Sequence, residues 1–321
     1  MKHWSFRKKF VVGIVLVFAG VFIYRASTSY INDEDNRITR NEILHLEVNG
    51  VILNGNKFLA QLKKYRKDDS VKAIVIEINS PGGAVGPSQE IYHEILTTKL
   101  ETKKPVVCVS TSLIASGGYY AALACDKIIV APGTMIGSIG VIMEFANLEK
   151  LYDWAKISRY TITSGKYKDS GSEYRPMRED ERKLFQDMID EVYTQFKGTV
   201  VEARKLPEAT VAAYADGRVM TGAKAVELKF ADEVGYYADA VKLAAKMAKL
   251  KEEDYKIFKP KREKFHFMDV FTLDEDEDDL NSLVKNLKSG SAQVIAKEFA
   301  QTVLKTKYLN QPLMLMPGYW E

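Results

Sequence analysis

Hydrophobic and polar positions divide this chain into three stretches. From Phe10 to Tyr24 fifteen consecutive residues carry no charge, directly after Lys2, Arg7, Lys8 and Lys9. A helix through them spans about 22 Å, short of a ~30 Å hydrocarbon core. Trp4, Phe6 and Tyr24 can extend it as interfacial anchors, with Arg25 reaching back to the head groups. Residues 10–24 are therefore expected to anchor the chain in a bilayer. A cleaved signal peptide has a similar layout, but Tyr24-Arg25-Ala26-Ser27 offers a poor small-x-small cleavage pattern, so the anchor reading is preferred. The positive flank keeps the amino terminus in the cytoplasm and puts the body on the extracytoplasmic side after a single crossing.

Residues 26–41 are polar and charged, as a tether would be. Beyond them Ile43–Val48 alternates like a strand, Asn49-Gly50 turns, and Val51–Leu53 continues the strand. Phe58, Leu59, Leu62 and Tyr65 recur at helical spacing, and Val71–Ile78 is a buried strand running into Asn79-Ser-Pro-Gly-Gly83. A helix is expected from about Pro87, a strand over Pro105–Ser110, a helix opening at Ser116 and a strand over Ile128–Val130. Two further helices follow, from about Arg178 to Arg204 and from Ala238 to Leu250. This β-α-β-α-β order predicts an α/β fold with a largely parallel sheet and function at the carboxyl ends of its strands. From Lys251 the character changes: a basic stretch, then Asp274–Asp279 with acids only, then Ala292, Ile295, Phe299 and Val303 on one helical face, then the apolar end Leu313-Met-Leu-Met316. The organisation expected is anchor 1–25, tether 26–41, a catalytic domain 42–250 and a carboxyl-terminal extension 251–321.

The net charge of +3 conceals an imbalance. Residues 1–25 hold five basic side chains and no acid, and the other 296 hold 41 basic and 43 acidic. That body lacks the positive excess a phosphate backbone requires, so no nucleic-acid partner is expected. Two cysteines, Cys108 and Cys125, exclude a disulfide scaffold and a cysteine-only zinc site. A single disulfide between them is open, but two separate buried thiols are the plainer expectation. No metal or other cofactor is expected.

The chemistry points to serine without histidine. His3, His45, His93 and His266 are poorly placed for a Ser-His-Asp triad, and Ile114-Ala-Ser-Gly-Gly118 has no glycine where a G-x-S-x-G elbow begins. Ser5-Phe-Arg-Lys8 and Ser282-Leu-Val-Lys285 match S-x-x-K without its companion motifs. Two Gly-rich strand ends remain. Asn79–Gly83 can bring exposed N–H groups close to a ligand, and Ser116 stands where helix N–H groups would stabilise a developing anion. Two ordinary βα turns, with Ser116 as a helix cap, are the plain alternative.

Five ordered motifs carry a resemblance: Asn79–Gly83, Ala115-Ser-Gly-Gly-Tyr-Tyr120, Ile136-Gly-Ser-Ile-Gly-Val141, Ser164-Gly-Lys-Tyr-Lys-Asp169 and Asp216-Gly-Arg-Val-Met-Thr-Gly222. Over about residues 43–250 the chain resembles the signal peptide peptidase A branch of the S49 serine proteases. The resemblance implies a Clp-protease/crotonase-like fold of ββα units. It implies Ser116 as nucleophile, Lys168 as general base, and Gly83 and Gly117 as oxyanion-hole donors. Lys166 is the confounder, read as a solvated loop lysine. It further implies a homo-oligomeric ring with active sites between subunits, and apolar or unfolded peptides, among them remnant signal peptides, as substrates. A lysine accepts a proton from serine only when neutral. Burial at a subunit junction would have to bring a lysine from ~10.4 to roughly 7–8.

A serine endopeptidase of the bacterial cytoplasmic membrane is thus expected, against two alternatives. One is a crotonase-type acyl-CoA enzyme, which shares the oxyanion architecture but has no use for a membrane anchor. The other is an inactive peptide-binding scaffold, which would not be expected to keep both Ser116 and Lys168. The tail Leu313–Met316 resembles an apolar substrate and could occupy an active site or be trimmed; packing on a neighbouring copy is the plainer expectation.

Overall fold

The computed structural model describes residues 41–251, 254–260 and 311–316. In chain order they form β1 (Glu42–Asn49), α1 (Asn56–Tyr65), β2 (Val71–Asn79), β3 (Gly82–Ala84), α2 (Val85–Thr102) and β4 (Val106–Ser110). Next come β5 (Leu113–Ala115), α3 (Gly117–Ala122), β6 (Lys127–Val130), β7 (Met135–Gly137), α4 (Glu149–Ala155) and α5 (Glu179–Arg204). The remainder is α6 (Glu208–Tyr214), β8 (Val219–Thr221), α7 (Gly222–Glu227), β9 (Glu233–Val234), α8 (Tyr237–Met247), β10 (Lys256–Phe258) and β11 (Leu313–Leu315).

The apolar runs of β1, β2, β4 and β6 are nearly continuous because both faces of their sheet are covered. Six strands lie in the order β10-β1-β2-β4-β6-β9, each neighbouring pair parallel. Alternation along each strand sorts the side chains. Ile74, Ile76 and Ile78 face a large cluster with Phe58 and Leu62 of α1, Ile91 and Ile95 of α2, Tyr119 of α3 and Phe196 and Val200 of α5. Ala73, Val75, Val107 and Val109 face Ala240, Val241, Ala244 and Ala245 of α8. Truncating a fully buried residue such as Ile76 to alanine would cost ~2–5 kcal/mol. Beside this sheet stand two small ones: β5-β7-β8, and β3 paired with β11.

Several expectations change. Val51–Leu53 does not continue β1: Gly50, at φ +71°, turns the chain, and only Ile52 bridges to Gly83. The helix expected from Pro87 starts at Val85, since a proline in the first turn forfeits an N–H that has no helical acceptor. Past residue 250, β10 extends the main sheet and β11 lies against β3. Cys108 and Cys125 are not separate thiols. The chain runs up β4 and back along α3, bringing their Cα atoms to 5.9 Å, and the two form a disulfide buried in the large cluster. Among the described residues no helix is long and apolar enough to cross a membrane. The expected anchor 10–24, the acidic run 274–279 and the amphipathic segment 292–303 lie outside the described residues.

Candidate active site

The carboxyl end of β2 and the end of β5 meet to form the site. Ser80 N–H donates to Leu113 O at 2.9 Å, and Ala115 N–H donates to Ser80 O at 3.0 Å. Pro81 ends the β2 ladder, and Gly82 turns at φ +96°, a conformation open chiefly to glycine. Gly83 packs flat on Ile52, whose carbonyl a Cβ would strike. β5 then delivers Ser116 to the start of α3.

Ser116 is held at φ +49°, ψ −118°, with its N–H donating to Gly137 O at 2.8 Å and its carbonyl accepting Tyr120 N–H at 2.8 Å. Its side chain makes no capping bond, so the ordinary helix-cap alternative is not what the structure adopts. The hydroxyl is fully buried and has no hydrogen-bond partner among the described residues. A strained backbone and an unsatisfied buried hydroxyl each cost about 1–3 kcal/mol, and such costs concentrate at functional positions.

A strand occupies the cleft beside this serine. β11 pairs antiparallel with β3, with Leu313 opposite Ala84, Met314 opposite Gly83 and Leu315 opposite Gly82. Met316 N–H donates to Pro81 O at 2.8 Å. Alternate pairs of an antiparallel ladder exchange hydrogen bonds, so Met314 and Gly83 form the other exchanging pair and Gly83 N–H faces Met314 O. Met314 O also lies against Gly117, 3.1 Å from where a Cβ on that glycine would stand. On the far edge Leu313 and Ile142 exchange bonds of 2.8 and 2.9 Å. Met314 is fully buried in the main cluster, while Leu313 and Leu315 pack with Val51, Leu53, Ala84 and Ile142. The tail thus sits on its own chain, next to the candidate nucleophile, rather than needing a neighbouring copy to cover it.

The lysines are elsewhere. Lys168 lies in the turn that follows Gly165, exposed, and its ammonium has no ion-pair or hydrogen-bond partner among the described residues. Lys166 is ion-paired with Asp180 at 2.7 Å, and that bond raises its pKa, which makes it a poor proton acceptor. Arg175 clamps this loop to α5, contacting Asp169 at 2.8 Å and the fully buried Glu181 at 2.6 Å. The guanidinium lowers the pKa of both carboxyls, and Glu181 in turn raises that of Arg175. Sequence reading missed this clamp. The stretch before it presents Trp154, Tyr160 and Ile162 at 79%, 91% and 100% exposure. The chain therefore gathers Ser116, Gly83 and Gly117 in one place, and Lys168 does not reach the serine within it.

Neither His45 nor His93 serves Ser116, whose hydroxyl has no hydrogen-bond partner among the described residues. His45 bonds Glu77 at 3.2 Å and packs on Tyr237, and His93 is exposed on α2. His45, Glu47 and Glu77 have donor atoms within 4.8 Å of one another, but Lys259 already meets Glu47 with a cation.

Comparison with known proteins fits this geometry. The profile of peptidase family S49 matches residues 98–251 and that of Clp protease residues 27–136. A protein of Synechocystis sp. bearing a protease name is 39% identical over 213 residues, which cover 66% of this chain and 76% of that protein. The chain belongs to peptidase family S49, a serine-type peptidase family. A relative in Enterococcus faecium named for signal peptide peptidase SppA is 35% identical over 222 residues, 65% of this chain and 64% of its own length. The chloroplastic serine protease SPPA of Arabidopsis thaliana is 32% identical over 206 residues, 64% of this chain but 30% of the relative. The chain thus spans less than two thirds of the last two. Its mostly parallel α/β architecture is that of the Clp-protease-like fold.

Proposed function

We propose that this S49 chain is a membrane-anchored serine endopeptidase working through a Ser116–Lys168 dyad on apolar peptides, remnant signal peptides among them. The observation that carries this reading is the course of β11. A peptide strand lies along β3 with one carbonyl between Gly83 and Gly117, beside the buried hydroxyl of Ser116. An extended edge of this kind suits a peptide better than an acyl thioester.

In this mechanism Ser116 Oγ attacks the carbonyl carbon while Lys168 takes its proton. The N–H groups of Gly83 and Gly117 stabilise the oxyanion, for which each well-placed donor is worth ~10²–10³ in rate. Lys168 then passes the proton to the departing amine, and water hydrolyses the acyl-enzyme. In the isolated chain Lys168 is exposed and away from the serine. A second copy, docked over the apolar Trp154–Ile162 surface, would bring a Lys168 to each Ser116, and repetition of that contact closes a ring. No cofactor enters the mechanism.

Leu313, Met314 and Leu315 indicate the side chains the cleft accepts. If the tail is itself a substrate, the susceptible bond is Met314–Leu315. The Cys108–Cys125 disulfide suits an oxidising compartment and so supports a catalytic domain outside the cytoplasm, tethered through residues 10–24. The test is hydrolysis of an apolar peptide by the assembled protein, with fluorophosphonate labelling. Turnover and a label on Ser116 are expected in the wild type, and neither in Ser116→Ala. Undiminished hydrolysis by Ser116→Ala would overturn the reading.

A further inference from the structure

Ser80 joins the two glycine turns of the site and has no role in the mechanism above. It is fully buried. Its main chain holds both ends of β5, through Leu113 O and Ala115 N–H, and the residue after β5 is Ser116. Its hydroxyl accepts Gly82 N–H at 3.1 Å. That bond closes a serine turn over Pro81 and fixes the left-handed conformation of Gly82, which aims the next N–H, that of Gly83. On its other side Ser80 packs against Gly118. A Cβ there would stand 3.0 Å from Ser80 O and 3.1 Å from Ser80 Cβ, so α3 approaches as closely as a glycine allows. One residue therefore ties the turn bearing Gly83 to the strand and helix bearing Ser116 and Gly117.

We infer that Ser80 is a positioning residue of the oxyanion hole: its hydroxyl sets the direction of Gly83 N–H relative to Gly117 N–H. This rests on the assignment of Ser116 as nucleophile and goes beyond it. A misaimed donor weakens the tetrahedral state more than the bound peptide, so the effect belongs in kcat and not in KM. The experiment compares full-length wild type with Ser80→Ala in steady-state hydrolysis of an apolar peptide, and in the affinity of a peptide boronic acid, whose serine adduct is tetrahedral. The expected result is a 10- to 100-fold fall in kcat with KM within about twofold, and a parallel loss of boronate affinity. Ser80→Cys keeps the shape with a weak sulfur acceptor and replaces the alanine variant should that fail to fold. The same split, smaller in size, is expected of it. Unchanged kcat and boronate affinity would overturn the inference. So would a loss shared equally by KM, inert-peptide binding and folded fraction, the mark of a merely structural residue. Ser116→Ala run alongside separates the two claims: if it is dead and Ser80→Ala is normal, only the role of Ser80 falls.

Discussion

Ser116 and Lys168 occupy regions of opposite character. The serine lies under packed backbone, its strand ends fixed by Ser80, its N–H held by Gly137, and its hydroxyl buried and unpartnered among the described residues, with β11 paired to the neighbouring β3. The lysine stands in an open turn whose neighbours expose large apolar rings to water, though Arg175 and Glu181 fix the base of that turn firmly. One half of the candidate machinery is finished within a single chain. The other is shaped but has no surface to close on, and on our reading a second copy provides it.

The strongest way to break that contrast is to remove one group from each region. Ser116→Ala and Lys168→Ala should each lower peptide hydrolysis by more than about a thousandfold with assembly intact. Mixed and reassembled, the two dead proteins should recover a measurable fraction of activity if serine and lysine come from different copies. Wild-type turnover in Lys168→Ala would move the base to Lys166, against its ion pair with Asp180. Next in size, Ile162→Glu should disperse the assembly, read by light scattering, and reduce turnover by roughly a hundredfold while the dispersed chain keeps its secondary structure by circular dichroism, because a residue fully exposed in the single chain contributes little to the chain's own fold. Retained assembly and activity would mean the two regions meet by another face.

Smaller effects sharpen the picture. Met314→Asp puts a charge in a fully buried position and should expel the tail, raising the initial rate on an added peptide several-fold. Intact-mass measurement adds a second reading: loss of Leu315–Glu321 in the wild type and a full-length end in Ser116→Ala. A full-length end in both excludes cutting at Met314. Replacing Cys108 and Cys125 by alanine should lower unfolding free energy by ~2–4 kcal/mol, measured in denaturant without reductant. The smallest effect concerns pH. Burial and Lys259 hold the His45 pKa below its ordinary value. The unfolded chain therefore takes up a proton that the folded chain resists. Stability is full above about 6.5 and declines as pH falls from there through the lowered folded value. His45→Gln should flatten that decline.

Much of the scaffold was legible because β1, β2, β4 and β6 carry nearly unbroken apolar runs bounded by turn residues, and α5 and α8 are long enough to stand out as helices. β3, β5, β7 and β8 have three residues apiece, too few for alternation, and their pairing depends on contacts distant in sequence. Ser116, Gly83 and Gly117 stood out as Gly-rich strand ends, but a lysine in a loop has no local signature, and Lys168 emerged only through the family resemblance. Glu181 lies in the first turn of α5, where Arg178 N–H donates to it at 2.9 Å, but its complete burial against Arg175 follows from packing, which no local pattern shows. The disulfide was undecidable from spacing, since two small apolar residues and a bridged pair look alike in a chain.

The pairing of β10 with β1 has a mechanical consequence. β1 is the first strand among the described residues, and it is gripped on both sides by parallel neighbours, Glu42 lying beside Val71 on one flank and Lys256 on the other. A pull applied at Glu42 along the axis of that strand would load the bonds of both ladders in shear together, instead of peeling them apart singly. Under the proposed anchoring, the sheet would resist such a load as a unit instead of unravelling from β1.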